Sequence, residues 1–236
     1  MLISLVIPAF NEQKVIKNTI TAAECFLKSN FGENKYEIIA VDDGSVDKTP
    51  EILAKSGVTV VSFPQNRGKG AAVREGILRS SGDFVFFTDA DLPYSLDFLI
   101  EGVRILKSSD IVCGKRVGKG YPVKRRLISA AYNLFCSGVL GMAFSDVQCG
   151  IKGFSRRAAT QIFSLCRIDG FAFDTEVLFL AKRLGYDTKT LCVRVSHRPD
   201  SSVRLFGDSI GMAADVFKIR NGFEAGEYNL QRSCQR

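Results

Sequence analysis

Four short apolar runs, each ending in a polar turn and followed by helix-like periodicity, organise the first part of the chain. Residues 3–7 read as a strand buried on both faces, and Pro8 closes it into the turn Ala9, Phe10, Asn11, Glu12. An amphipathic helix follows, through about residue 29. Residues 36–41 repeat the plan and run into Asp42, Asp43, Gly44 and Ser45, where Gly44 permits a tight turn and Pro50 suits the first position of the next helix. A third strand over 58–62 leads to Asn66, Arg67, Gly68, Lys69 and Gly70, with a helix predicted over 71–79. The fourth, over 84–88, ends in acid: Asp89 and Asp91 with Ala90 between them, before a helix suggested by 95–108.

Strands alternating with helices at this spacing predict a single α/β domain, its central sheet mostly parallel, Rossmann-like and flanked by helices. The polar turns then gather along one rim, where ligands bind in open α/β sheets. Past residues 110–114 the pattern changes. A basic segment is followed by a long uncharged stretch over 127–145, then DVQCGIKGFSR (146–156) and GFAFDTEVL (170–178). A last strand over 190–195 precedes HRPDSSVR (197–204), and the tail is weakly amphipathic. The domain is expected to fill 1–220, with a polar tail over 221–236.

A chain of 236 residues that is 46% hydrophobic can bury one substantial core, which excludes disordered and fibrous classes. The formal charge of +7 is compatible with nucleic acid, an anionic membrane or a phosphorylated substrate. Its distribution narrows the choice: Lys115, Arg116, Lys119, Lys124, Arg125 and Arg126 crowd one segment, and no basic stripe interleaved with aromatics stands out as a nucleic-acid surface. Seven cysteines without a CxxC pair suggest reduced thiols in a cytosolic protein. The N-terminus lacks a basic leader and a cleavage site, so it reads as a strand. The 127–145 stretch carries Ser129, Tyr132, Asn133 and Ser137, and crossing a membrane there would separate its two flanks. It is expected to lie in an interface or pack in the fold.

Two carboxylates as close as those of Asp89 and Asp91 repel by roughly 1 to 4 kcal/mol, so a positive partner is expected beside them. A divalent cation shared with substrate phosphates suits a strand end, although Asp91 alone also reads as a turn or capping residue. Lys69 between glycines could meet a phosphate, but the Walker spacing is absent, and no GxGxxG follows the first strand. Asp42 and Asp43 could accept hydrogen bonds from a base or ribose, or could form an Asx-turn.

Taken in order, VIPAFNE, VDDGSVDKT, NRGKGAAVREG, TDADLP, DVQCGIKGF and GFAFDTE resemble a family 2 glycosyltransferase of the GT-A fold, over roughly residues 3–204. The resemblance is nearest to the branch that acts on polyprenyl or dolichyl phosphates, and to its glucosyl type more than its mannosyl type. It implies a nucleotide-sugar half over 1–110 and an acceptor half over 111–204. Pro8, Ala9, Phe10, Glu12, Asp42 and Asp43 would meet the nucleotide sugar, together with Lys69, Asp89, Ala90 and Arg204. Asp89 and Asp91 would hold Mg²⁺ or Mn²⁺. Pro93 stands where mannosyl relatives often carry a metal-binding glutamine, so the metal would rest on two carboxylates and water. Arg116, Arg125 and Ser129 resemble a lipid-phosphate clamp.

The implied reaction is an inverting transfer of a hexose, glucose from UDP-glucose ahead of mannose from GDP-mannose. A phosphate acceptor is already ionised; if a base is needed, Asp146 stands first and Asp174 second. His197 reads as a packed residue. The enzyme is expected on the cytoplasmic face of a membrane, peripherally attached or held by a separate membrane partner. The rivals are a soluble family 2 transferase acting on a sugar or protein hydroxyl, a non-catalytic nucleotide-sugar binder and a nucleic-acid module.

Overall fold

The computed structural model describes residues 1–117, 123–142, 146–195 and 207–229, and within these the side chains of all but 123–126 and 207–210. The elements run β1 (Ile3–Ala9), α1 (Ile16–Phe31), β2 (Tyr36–Asp42), α2 (Thr49–Ala54), β3 (Thr59–Ser62), α3 (Lys69–Arg79), β4 (Phe84–Phe87), α4 (Asp97–Leu106), β5 (Ile111–Val117), α5 (Val123–Leu140), β6 (Lys152–Ser155), α6 (Arg156–Leu165), α7 (Phe173–Arg183), β7 (Thr188–Arg194) and α8 (Gly207–Glu224). Seven strands make one sheet in the order β3-β2-β1-β4-β6-β5-β7. β6 runs antiparallel to both its neighbours, β4 and β5, and every other pairing is parallel. The mostly parallel α/β architecture expected from the sequence is the one observed.

Alternation along the strands sends side chains into two cores, one on each face of the sheet. Val6, Val85, Phe87, Ile111 and Phe154 meet α3, α5, α6, α7 and α8 on one face. Ile3, Leu5, Ile7, Phe86 and Val112 meet α1, α2 and α4 on the other. α1 shows why its sequence became a helix: Ile16, Thr19, Ile20, Ala23 and Leu27 recur at helical spacing and are its buried residues.

The departures from expectation have local causes. α3 begins two residues early, because Gly68 at φ 106° makes the turn and frees Lys69 to open the helix. β5 continues through Val117, so Lys115 and Arg116 of the basic segment belong to this strand. β6 was not legible as a strand at all. Its centre is Gly153, where a Cβ would lie 2.3 Å from Cε1 of Phe86, so glycine is what lets that ring pack against the sheet.

α5 opens at Val123, earlier than expected, and stops at Gly141 (φ 67°); residues 143–145 lie outside the described set. Its sequence leaves Leu127, Ile128 and Leu134 exposed while Cys136 and Leu140 enter the core. Among the described residues no helix is long and apolar enough to cross a membrane. Four of the six described cysteines, Cys113, Cys136, Cys149 and Cys166, are buried free thiols. α8 reaches Glu224, and Tyr228 beyond it is buried.

Candidate active site

The register levels the ends of β1, β2 and β3, with Ala9 beside Asp42 and Asp42 beside Ser62, and Val6 beside Phe87 of β4. Their loops are tied together before any ligand is considered. Asn11, left-handed at φ 57°, donates its N–H to Ser45 Oγ (2.9 Å), and its Oδ1 accepts from Val46 N–H (2.9 Å). The N–H of Glu12 donates to Thr49 Oγ1 (2.8 Å), and that of Gln13 to Asp47 Oδ2 (3.1 Å).

Asp43 clasps the third loop. Its carboxylate accepts the N–H groups of Arg67 (2.7 Å) and Gly68 (2.9 Å) and the side-chain amide of Asn66 (2.9 Å). Burial pushes its proton affinity up, against the pull of those N–H donors. Asp42, also buried, accepts from Ser45 N–H (3.2 Å), an Asx-type turn. Gly44 at φ 71° closes the arrangement: a Cβ there would lie 2.3 Å from the carbonyl carbon of Gln65. Both expected nucleoside carboxylates therefore brace loops, while the Phe10 ring beside them is exposed and Pro8 and Ala9 are buried strand residues.

The acidic turn follows β4. Leu92, left-handed at φ 44°, donates its N–H to the Asp89 carbonyl (3.1 Å), and Ala90, buried, offers its carbonyl to Thr19 Oγ1. Lys69, from the first turn of α3, rests its ammonium on Asp89 Oδ1. Gly150 is required on the other side, since a Cβ there would lie 2.1 Å from Asp89 Oδ2.

This part of the rim carries surplus negative charge. Burial, reinforced by Asp91, Asp47 and Asp89, pushes the Glu12 carboxyl up to about 7. Burial alone would lower the Lys69 pKa, but Asp89, Asp174 and Asp91 hold it above its usual value. Asp89 already attracts a cationic group, and the surrounding field favours another, so the donor set fits a hard divalent cation. Among the described residues no group of three or more His, Cys, Asp or Glu side chains is placed to hold a metal.

On the β5 side, Arg116 faces Asp146. Its backbone N–H donates to Oδ2 (2.7 Å), its Nε reaches both carboxylate oxygens (3.1 and 3.0 Å), and its Nη2 takes Oδ1. An expected phosphate ligand and an expected base are thus one bidentate pair. Ser129 is half-buried on α5. Of Arg125 the backbone in α5 is described and the side chain is not; Arg204, His197 and Lys119 lie outside the described residues.

Asp174, in the first turn of α7, is buried against Lys152 (Nζ to Oδ1 2.5 Å), whose ammonium also donates to the carbonyls of Val147 (3.0 Å) and Cys149 (2.8 Å). Burial works to neutralise Lys152, but Asp174 and its neighbours keep its pKa above the usual value. Sequence reasoning missed Lys152. A lysine between apolar neighbours, with an unexplained aspartate in the next motif, was the available signal.

An Asp-X-Asp turn closing a parallel strand, a lysine beside it and braced loops along the same rim define a nucleotide-sugar-dependent transferase of the GT-A type. The family model described as "Glycosyl transferase family 2" matches residues 4–163, and the chain belongs to that family. It is 32% identical over 251 residues to the dolichyl-phosphate beta-glucosyltransferase of Dictyostelium discoideum, covering 97% of this chain and 77% of that protein. It is equally 32% identical, over 264 residues, to the dolichyl-phosphate beta-glucosyltransferase of Saccharomyces cerevisiae, covering 98% of this chain and 78% of the relative. Among solved structures it resembles glucosyl-3-phosphoglycerate synthase from Mycobacterium tuberculosis in complex with Mn²⁺, UDP and glucosyl-3-phosphoglycerate, with a TM-score of 0.63 at 25% identity over 92% of this chain and 78% of that one. The protein is a hexosyltransferase of this family.

Proposed function

We propose that this enzyme transfers glucose from UDP-glucose to a dolichyl or related polyprenyl phosphate, with inversion at the anomeric carbon. The observation that carries the reading is its likeness, over nearly the whole chain, to dolichyl-phosphate beta-glucosyltransferases, with Asp89 and Asp91 intact at the end of β4.

Asp89 and Asp91 hold Mg²⁺ or Mn²⁺ in this reading, and the chemistry such a cation supplies when bound is neutralisation of the leaving diphosphate. Phe10, Glu12 and the loops braced by Asp42 and Asp43 receive the nucleoside, with Pro8, Ala9 and Ala90 shaping the floor. Lys69 is positioned to pass from Asp89 to a diphosphate oxygen, and Arg204 adds a second positive charge there. Arg116, Arg125 and Ser129 receive the acceptor phosphate, since arginine binds phosphate through paired N–H donors. The acceptor oxygen is already ionised and needs no base. Asp146, held by Arg116, would serve as one for a hydroxyl acceptor, whereas Asp174, the second candidate, is buried and engaged by Lys152.

The exposed Leu127, Ile128 and Leu134 of α5 support peripheral attachment to a membrane surface beside the lipid chain of the acceptor; the cytoplasmic face is part of the proposal. The test is transfer from a panel of nucleotide sugars, with Mn²⁺, to polyprenyl phosphate and to water-soluble alcohols, alongside competition by free UDP and GDP. Product from UDP-glucose and lipid phosphate, with UDP the tighter inhibitor, is expected. Tighter inhibition by GDP would reverse the choice of donor, and efficient transfer to a soluble alcohol would remove the lipid.

A further inference from the structure

Three adjacent polar residues, Asp174, Thr175 and Glu176, lie in the first turn of α7, and all three are buried. Successive helical residues point about 100° apart, so a triplet addresses three directions at once. Each finds its partner on a different element.

Asp174 binds the fully buried Lys152, which also fastens the carbonyls of Val147 and Cys149. That loop leads into Gly150, the residue against which the Asp89 carboxylate rests. Thr175 Oγ1 shares a hydrogen bond with the Tyr132 hydroxyl of α5 (3.1 Å). Glu176 accepts the N–H groups of Arg167 and Ile168 (2.9 Å each) and the hydroxyl of Tyr228 (2.8 Å).

The Glu176 contact extends to the donor site. Beyond Ile168 the same loop presses its carbonyls on the start of α3: a Cβ at Gly68 would lie 2.4 Å from the Asp169 carbonyl oxygen, and one at Gly70 2.5 Å from that of Ile168. Asp169 also accepts the Ala71 N–H (3.2 Å) through its carbonyl and Arg74 Nη2 (2.6 Å) through its carboxylate. The end of α3 fixed in this way is the one from which Lys69 reaches Asp89.

We propose that Asp174, Thr175 and Glu176 are positioning residues that set the acceptor helix α5 and the donor-side Lys69 and Asp89 in register around one buried helix turn. Buried polar groups are costly when unpaired, so each contact holds its element to one place. Asp174, engaged by Lys152, acts through the Gly150 loop and not as a base. The inference rests on reading α5 as the acceptor side and the Asp89 turn as the donor side.

The test uses two mild variants at the outer ends of the contacts, Tyr132→Phe and Tyr228→Phe, each with a thermal melt to verify folding. Tyr132→Phe should raise the KM for polyprenyl phosphate by about 3- to 10-fold, the size of one neutral hydrogen bond, and leave the Kd for UDP, read by calorimetry with Mn²⁺, unchanged. Tyr228→Phe should do the reverse. Equal shifts in both quantities for each variant, or no shift in either, would overturn the proposal.

Asp174→Asn provides a separate reading. Its kcat should fall with the shape of the pH profile retained, whereas loss of the acidic limb would identify a base. If the wild-type protein transfers nothing to lipid phosphate, the functional reading fails, and the effect of Tyr228→Phe on UDP binding still decides the donor arm.

Discussion

The rim formed by β1 to β4 and the flank formed by β5, β6 and α5 are built on different terms. Along the rim, polar side chains are spent mostly on backbone: Asn11, Asp43 and Asp47 accept N–H groups from neighbouring loops and Asp42 one from its own turn, the Lys69–Asp89 pair being the exception, and the Phe10 ring is left exposed. On the flank, charges are spent on each other, Arg116 on Asp146 and Lys152 on Asp174, and the outer helix shows apolar side chains to solvent. A braced rim suits a rigid, hydrophilic nucleotide. A paired, apolar-sided flank suits an acceptor that brings one phosphate and a long chain.

The sharpest way to break this contrast is at Asp89 or Asp91. Either Asp→Asn change should lower kcat by on the order of 10²-fold or more, because charge on the leaving group loses its counter-ion, while the melting temperature holds. Near-normal turnover at saturating Mn²⁺ would remove the metal role from these residues.

Asp43→Asn should behave oppositely. An amide cannot accept from all three donors at once, so chemical denaturation should show a loss of roughly 1–3 kcal/mol, with nucleotide affinity falling as a consequence. An unchanged denaturation midpoint with impaired UDP binding would instead make Asp43 a direct ligand.

Arg125→Ala probes the flank. It should raise the KM for polyprenyl phosphate by about 10-fold, the scale of one charge-assisted hydrogen bond, and leave the KM for the nucleotide sugar unaltered. An equal rise in both would detach Arg125 from the acceptor.

The smallest effect concerns pH and Glu176. Burial raises its carboxyl pKa in the folded protein despite the Ile168, Arg167 and Tyr228 hydrogen bonds. The folded state thus holds the proton more tightly than the unfolded chain, and this contribution to stability is full below the ordinary carboxylate range and lost as pH rises through the folded pKa. Glu176→Gln, unable to ionise, should flatten that slope in denaturant midpoints measured across pH; an identical slope in both proteins would assign it to other groups.

The rim was readable because its signals are local. Each strand is an apolar run, each turn follows it directly, and Asp89 and Asp91 sit one residue apart. The flank was not, because its decisive contacts join distant residues of unremarkable type. Arg116 and Asp146 were each singled out, but nothing in their spacing of 30 residues tells that they pair. β6 disguised itself with a buried lysine and a glycine that exists to seat Phe86. Asp43 was picked correctly as important to the rim, yet what its carboxylate holds is a loop 24 and 25 residues onward, a matter of closure and not of composition.

The backward strand has a consequence for how the chain reaches this shape. β5 is made before β6, but its sheet neighbours, β6 and β7, both come later in the sequence. The first four strands can assemble among themselves as soon as they are synthesised, while β5 must wait for the chain to pass Ser155 and turn in between. Until then β4 is an open sheet edge with unpaired backbone groups, the kind of surface to which a second chain readily adds a strand. Nascent molecules halted between residues 117 and 152 are therefore the ones expected to self-associate, and release from that hazard comes with four residues, Lys152–Ser155.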